Sequence, residues 1–117
     1  MLVNSKKMLE EAKAGHYAVP AANIVNLENI KGVIEAAEET KRPLMVCLAE
    51  VHLPTLGLEE AATIVKYYAN KGNQDIALHY DHGFTINLVK KAIDVGFTSV
   101  MIDGSSLPFE ENVAKTK

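Results

Sequence analysis

The stretch His79-Tyr80-Asp81-His82-Gly83 carries the densest chemistry in this chain. Its His79, Asp81 and His82 are proton-active side chains directly behind the apolar run Ile76-Ala77-Leu78. That order predicts a strand that delivers polar groups at its C-terminal end. Strand alternation puts His79 and Asp81 on one face and leaves His82 where the strand gives way to a loop. A neutral imidazole can bind a metal, and a carboxylate beside it can move a proton or orient the ring. Barrels of alternating strands and helices keep their catalytic groups at this end of the strands. The competing reading is a surface turn whose charged groups cap the next helix, because motifs this short recur by chance.

The elements that must position these residues alternate along the chain. Asn4 or Ser5 can cap a first helix with Met8, Leu9 and Ala12 inward, ended by Gly15. Tyr17-Ala18-Val19 reads as a short first strand, followed by Pro20. Asn26 can cap a second helix whose apolar stripe is Leu27, Ile30, Ile34 and Ala37, with Glu28 in its first turn. Leu44 to Ala49 is apolar on both faces, as in a parallel strand covered on both sides. Leu58 to Lys71 forms a helix with Leu58, Ala61, Ala62, Val65 and Tyr68 inward, closed by Gly72 at C′. Ile76 to His79 is the third strand. Thr85 then caps a helix with Val89, Ala92 and Ile93 inward, ended by Gly96. Thr98 to Ile102 is the fourth strand, and it finishes in a second carboxylate, Asp103-Gly104. A last helix begins at Glu110.

Strands alternating with helices imply parallel pairing with right-handed crossovers. Two architectures fit. One is an open flavodoxin-like sheet. The other is a (β/α)8 barrel, which typically needs ~250 residues, so that these elements would be about half of one. Periodicity does not choose between them.

The composition narrows the function. A length of 117 residues suits one domain, with 48% hydrophobic and 23% charged residues. A net charge of -3 and no basic cluster interleaved with aromatics argue against a nucleic-acid surface. No apolar run approaches the ~20 residues of a membrane span, and the chain opens with no signal-peptide pattern. The single cysteine, Cys47, lies in an apolar run and reads as a buried, inert thiol. One cysteine forms no internal disulfide, which fits a reducing compartment and predicts a cytoplasmic protein. His16 and His52 read as surface or loop residues.

Several of these segments together are similar to the N-terminal half of the class II, metal-dependent ketose-bisphosphate aldolases, which act on fructose 1,6-bisphosphate or tagatose 1,6-bisphosphate. The matching residues are Tyr17 to Asn23 with Asn26 and Glu28, then Pro43, then Ala77-Leu78-His79-Tyr80-Asp81-His82-Gly83. They continue through Gly96 to Ser105 and Leu107-Pro108-Phe109-Glu110-Glu111-Asn112. The resemblance runs the length of the chain and favours the barrel, here as its first four βα units in a single domain, 1–117.

The resemblance implies a carbon–carbon lyase. It would cleave a ketose 1,6-bisphosphate to dihydroxyacetone phosphate and glyceraldehyde 3-phosphate. A divalent metal, usually zinc, would polarise the carbonyl and stabilise the enediolate. Matched by motif, His82 looks like a zinc ligand and Asp81 like the acid/base group at the C4 hydroxyl. Asp103 resembles an auxiliary carboxylate near the metal, His79 an orienting neighbour, and Asn23 a residue near the substrate. Asp81 and His82 are adjacent, and a sharp turn at the strand's end would let them share one site.

Some residues depart from the family pattern. Where the family commonly has a small hydroxyl residue and then Gly near a substrate phosphate, this chain reads Ala49-Glu50-Val51-His52. Tyr80 replaces an aliphatic residue. The family's other zinc histidines come from the second half of the barrel. The 117 residues alone are therefore expected to lack turnover and to self-associate or to pair with a complementary C-terminal half-barrel. A non-catalytic half-barrel serving assembly or regulation is the alternative.

Overall fold

The computed structural model describes all residues from Met1 to Lys117. Its elements are α1 (Ser5–Ala14), β1 (Ala21–Asn23), α2 (Leu27–Thr40), β2 (Leu44–Ala49), a 3-10 turn (Glu50–His52), α3 (Leu58–Lys71), β3 (Ile76–Gly83), α4 (Ile86–Val95), β4 (Ser99–Ile102) and α5 (Phe109–Thr116). The strands make one four-stranded parallel sheet in the order β1-β2-β3-β4. This order decides the architecture. A doubly wound sheet reverses its strand order at a switch point. Here every strand pairs with the one before it. Right-handed crossovers then put all the helices on one face, as in an arc of a barrel.

Local signals set the helix boundaries. Asn4, Asn26 and Thr85 each accept a backbone N–H at a helix start, from Lys6, Asn29 and Leu88 respectively. Gly96 ends α4 in the left-handed region at φ 108. Lys41 ends α2 in the same region at φ 54, where a side chain is uncommon. Gly72 departs from expectation. Its φ of −96 is extended, so it does not close α3 as a left-handed cap. Its role is close approach: a Cβ there would lie 2.1 Å from Glu38 Oε1, whose carboxylate receives the N–H groups of Asn73 and Gln74.

The core lies between the sheet and its helices. Leu44, Val46 and Leu48 of β2 join Ile76, Leu78 and Tyr80 of β3 in one buried cluster with Ile30, Ile34, Ala61 and Val65. Alternation then aims Met45, Cys47 and Ala49, and Ala77, His79 and Asp81, at the opposite face. The register pairs Cys47 with His79 and Ala49 with Asp81 across the two strands. No helix is long and apolar enough to cross a membrane.

Three sequence expectations are corrected. The first strand begins after Pro20, not at Tyr17. The Pro20 carbonyl accepts the Met45 N–H at 3.0 Å, and β1 pairs with β2 from Ala21 onward. Pairing overrode the β propensity of Tyr17 to Val19. Leu9, Leu27 and Ile93 were placed inward by periodicity, yet they are 46%, 41% and 53% exposed. Each sits at the margin of its helix stripe. The third strand runs on to Gly83, four residues past the expected end at His79.

Candidate functional site

That longer strand builds the site. β3 pairs with β4 through His79–Ser99 and Tyr80–Val100, and the ladder resumes at Gly83–Ile102. Asp81 and His82 therefore stand opposite the single residue Met101. Two residues against one is a β-bulge, and the bulged strand bends there. His82 takes the strain at φ 52, a region side chains seldom occupy. Gly83 follows because the bend brings backbone close. A Cβ on Gly83 would lie 2.7 Å from the Met101 carbonyl oxygen. The turn expected at the strand's end is thus a bulge within the strand, and it brings the Asp81 and His82 side chains together despite their adjacency.

The side chains form a connected row. His82 Nδ1 lies 2.7 Å from Asp103 Oδ2, and its Nε2 is 3.8 Å from Asp81 Oδ2. The other Asp81 oxygen is 3.6 Å from His79 Nε2, while His79 Nδ1 meets Ser99 Oγ at 2.8 Å. Asp81 stands between two imidazoles, at distances longer than hydrogen bonds. Asp103 also accepts the Ser105 N–H at 2.8 Å.

The electrostatics give each group a different state. The hydrogen bond that His82 donates to Asp103, then the charge of Asp81, raises the His82 pKa above its ordinary value. Burial lowers that of His79, outweighing the pull of Asp81, and so favours the neutral ring. Hydrogen bonding from the Ser105 hydroxyl, then from His82, holds the Asp103 carboxyl far below the usual range. Burial, then Asp81, pushes the Cys47 thiol up to about 11, which fits an inert residue.

His82, Asp81, Asp103 and His79 come together at one end of the sheet. Asn23 does not join their row. It is exposed at the end of β1, level with Cys47 and His79 in register. His16 is exposed behind α1, and His52 is half-buried in the 3-10 turn. Val51 lies in that turn with no positive φ, so glycine's conformational freedom is not required there.

Sequence reasoning missed two residues. Glu50 follows β2 and accepts both the Tyr80 O–H and the Phe84 N–H at 2.7 Å. Lys115 of α5 donates to the carbonyls of Phe84 and Asp103 at 2.8 and 3.1 Å. The signal for Glu50 was its place at a strand's C-terminal end, the same cue that marked His82 and Asp103. Lys115 carried no such signal.

The donor set suits a divalent cation in kind. With Nδ1 engaged by Asp103, the neutral His82 ring offers its Nε2 lone pair, and Asp81 supplies an oxygen beside it. In number the set falls short. The four side chains are neighbours in a row, but no three of them converge as a group that could hold a metal ion, whereas a catalytic zinc keeps about three protein ligands.

The model of the family described as fructose-bisphosphate aldolase class-II matches residues 3–117. The chain belongs to the class II fructose-bisphosphate aldolase family. It is 45% identical to a 6-phospho-5-dehydro-2-deoxy-D-gluconate aldolase from Halalkalibacterium halodurans, over 99% of the chain and 41% of that protein. It is 44% identical to a fructose-bisphosphate aldolase from Mycoplasma pneumoniae, over 100% of the chain and 41% of that protein. Among solved structures, the YdjI aldolase from Escherichia coli K12 superposes with a TM-score of 0.93 at 30% identity, over 98% of this chain and 44% of that one. The structural neighbours are class II aldolase barrels, in accord with the sequential strand order. The class II chain described here spans about two-fifths of the length of the curated relatives it matches.

Proposed function

We propose that this chain supplies the first four βα units of a metal-dependent aldolase that cleaves a phosphorylated ketose, in a cytoplasmic protein. The observation that carries this reading is the bulge at Asp81-His82. It points a carboxylate and an imidazole lone pair into the same space at the catalytic end of a parallel strand. A bound divalent metal, zinc in this family, would supply Lewis-acid stabilisation of negative charge on the ketose oxygens.

The chain's own residues divide the remaining work. His82 Nε2 is the metal ligand. Asp103 fixes the tautomer and direction of the His82 ring through Nδ1, and the same carboxylate is available as an auxiliary ligand. Asp81 takes the proton of the C4 hydroxyl as the C3–C4 bond breaks, and it returns that proton in the condensation direction. His79 flanks Asp81 on the other side, 3.6 Å away, as an orienting neighbour. Asn23 contacts substrate at the rim. The remaining metal ligands and phosphate contacts come from a complementary half-barrel, and the assembled protein is an oligomer. Fructose 1,6-bisphosphate and tagatose 1,6-bisphosphate are the first substrates to assay, and the relatives' names add a phosphorylated deoxygluconate derivative.

Metal content tests the assignment. In the assembled protein, Asp81→Ala should retain zinc and His82→Ala should lose it, read by inductively coupled plasma mass spectrometry. Zinc lost from Asp81→Ala and kept by His82→Ala would reverse the two roles. A wild-type protein without metal or metal-dependent turnover would favour the assembly or regulatory reading.

A further inference from the structure

The peptide of Phe84, two residues past His82, is gripped from both sides. Its N–H donates to Glu50 Oε2 at 2.7 Å, and its carbonyl accepts from Lys115 Nζ at 2.8 Å. Each grip leads on to a firm anchor. The same Glu50 oxygen receives the hydroxyl of Tyr80 at 2.7 Å. Tyr80 is fully buried and packs edge-on against Phe97, with ring centroids 6.0 Å apart. Lys115 also donates to the backbone carbonyl of Asp103 at 3.1 Å. It thereby ties the end of β3 to the end of β4.

Between these ties lies the bulge, with His82 at φ 52. A side chain in that conformation is strained and persists only where its surroundings over-determine it. The β4 ladder does not reach the break itself, because its register is interrupted between Tyr80 and Gly83, and the β2 ladder ends at Asp81. His82 is therefore left to the residues that flank it. Tyr80 precedes it and Phe84 follows it, and Glu50 holds both through one oxygen.

We infer that Glu50 and Lys115 are positioning residues that pin the β3 bulge and so set the approach of His82 to Asp103 and Asp81. This assignment deepens the metal-site reading above. Neither residue touches the reacting atoms. Both act through the Phe84 peptide.

The test uses the full chain in its assembled protein, with the variants Glu50→Ala, Glu50→Gln and Lys115→Met. Amide hydrogen exchange at Phe84 is the first readout. A hydrogen bond to a charged group is worth enough that Glu50→Ala should speed exchange there roughly tenfold or more, while the Leu78 amide stays protected. Glu50→Gln should restore most protection, because a carboxamide oxygen can accept the same two bonds. Lys115→Met should have a smaller effect on exchange. The second readout is cobalt binding followed by its visible absorption bands. Glu50→Ala and Lys115→Met should weaken it roughly 10–100-fold, the range seen when groups that orient metal ligands are lost. Unchanged Phe84 exchange in Glu50→Ala would overturn the clamp. Faster exchange with unchanged cobalt affinity would overturn its positioning role. If the wild-type protein binds no cobalt, the metal-site reading fails, and the positioning role fails with it. The exchange data would still show separately whether the clamp exists.

Discussion

β2 and β3 lie side by side and solve opposite problems. From Leu44–Ile76 to Ala49–Asp81 their shared ladder keeps register without a break. Five of the six β2 residues are buried, and none carries a charge. On its other edge β3 loses register against β4, takes a positive φ at His82, and gathers titratable groups around the break. One edge of β3 is regular and apolar, and the other is strained and polar. Regular pairing buries surface, which stabilises the domain. Irregular pairing aims adjacent side chains in one direction, which alternation alone forbids. The site depends on the first edge being rigid enough to carry the second.

The sharpest way to separate the two edges is to remove chemistry without touching packing. In the assembled protein, Asp81→Ala should lower turnover by about 10²–10⁴-fold, the usual range for a general acid/base group. Its unfolding midpoint should shift little, because Asp81 lies beyond the apolar cluster. Steady-state kinetics and urea unfolding on the same sample check both halves. A large loss of stability would mean that the polar edge also holds the sheet together.

The converse variant removes packing without touching chemistry. Leu78 is fully buried on the helix side of β3. Leu78→Ala should destabilise by about 2–5 kcal/mol, through lost transfer free energy and the cavity left behind. Turnover per folded molecule should persist, since the His82–Asp103 contact lies past that position. Denaturant titration with an activity assay at a temperature well below the transition would show it.

A smaller effect should appear as pH dependence. Asp103 raises the His82 pKa, and His82 helps lower that of Asp103. The raised histidine stabilises the fold fully below its ordinary value of about 6.5, and this is lost as pH rises through the folded pKa. The lowered carboxyl stabilises above its ordinary value of about 3.9, and this is lost as pH falls through its folded pKa. The pair therefore contributes most in the acid window between those ordinary values. His82→Asn keeps a side chain tolerant of positive φ and removes the pair. The stability gap between wild type and His82→Asn should be wider near pH 5.5 than near pH 8.5. A gap independent of pH would mean that the pair is not coupled to folding.

The contrast between the two edges also explains what could be read from the sequence. Leu44 to Ala49 was legible as a doubly covered strand because burial on both faces leaves a run of apolar residues. The caps Asn26 and Thr85 were legible because capping is local. The cluster of His79, Asp81, His82 and Asp103 was marked by residue type and by position after an apolar run. The bulge was not legible, since register depends on β4, twenty residues away in the His79–Ser99 pair. Nor were Glu50 and Lys115 as ties to Phe84, at separations of 34 and 31 residues. Tyr80 was noted only as a tolerated replacement. Its hydroxyl's partner across the sheet gives the replacement a reason. The start of β1 was misplaced because propensity spoke for Tyr17 to Val19, while pairing with Met45 spoke for Ala21.

The smallest effect isolates the strain itself. Lys41 and His82 have nearly the same backbone angle, φ 54 and φ 52, in very different places. Lys41 is exposed at the end of α2, where glycine is the usual residue. Lys41→Gly should stabilise the domain by about 1 kcal/mol, the relief of left-handed strain less the extra freedom glycine gains in the unfolded chain. His82→Gly relieves the same strain and also deletes the ring that meets Asp103. Its net stability change should therefore be less favourable than that of Lys41→Gly at pH 5.5, and the two should converge at pH 8.5 as the ring loses its charge. Paired urea titrations at both pH values measure the difference. Equal gains at both pH values would mean that the His82 ring contributes nothing to the fold. The strain at the bulge would then be retained for the site alone.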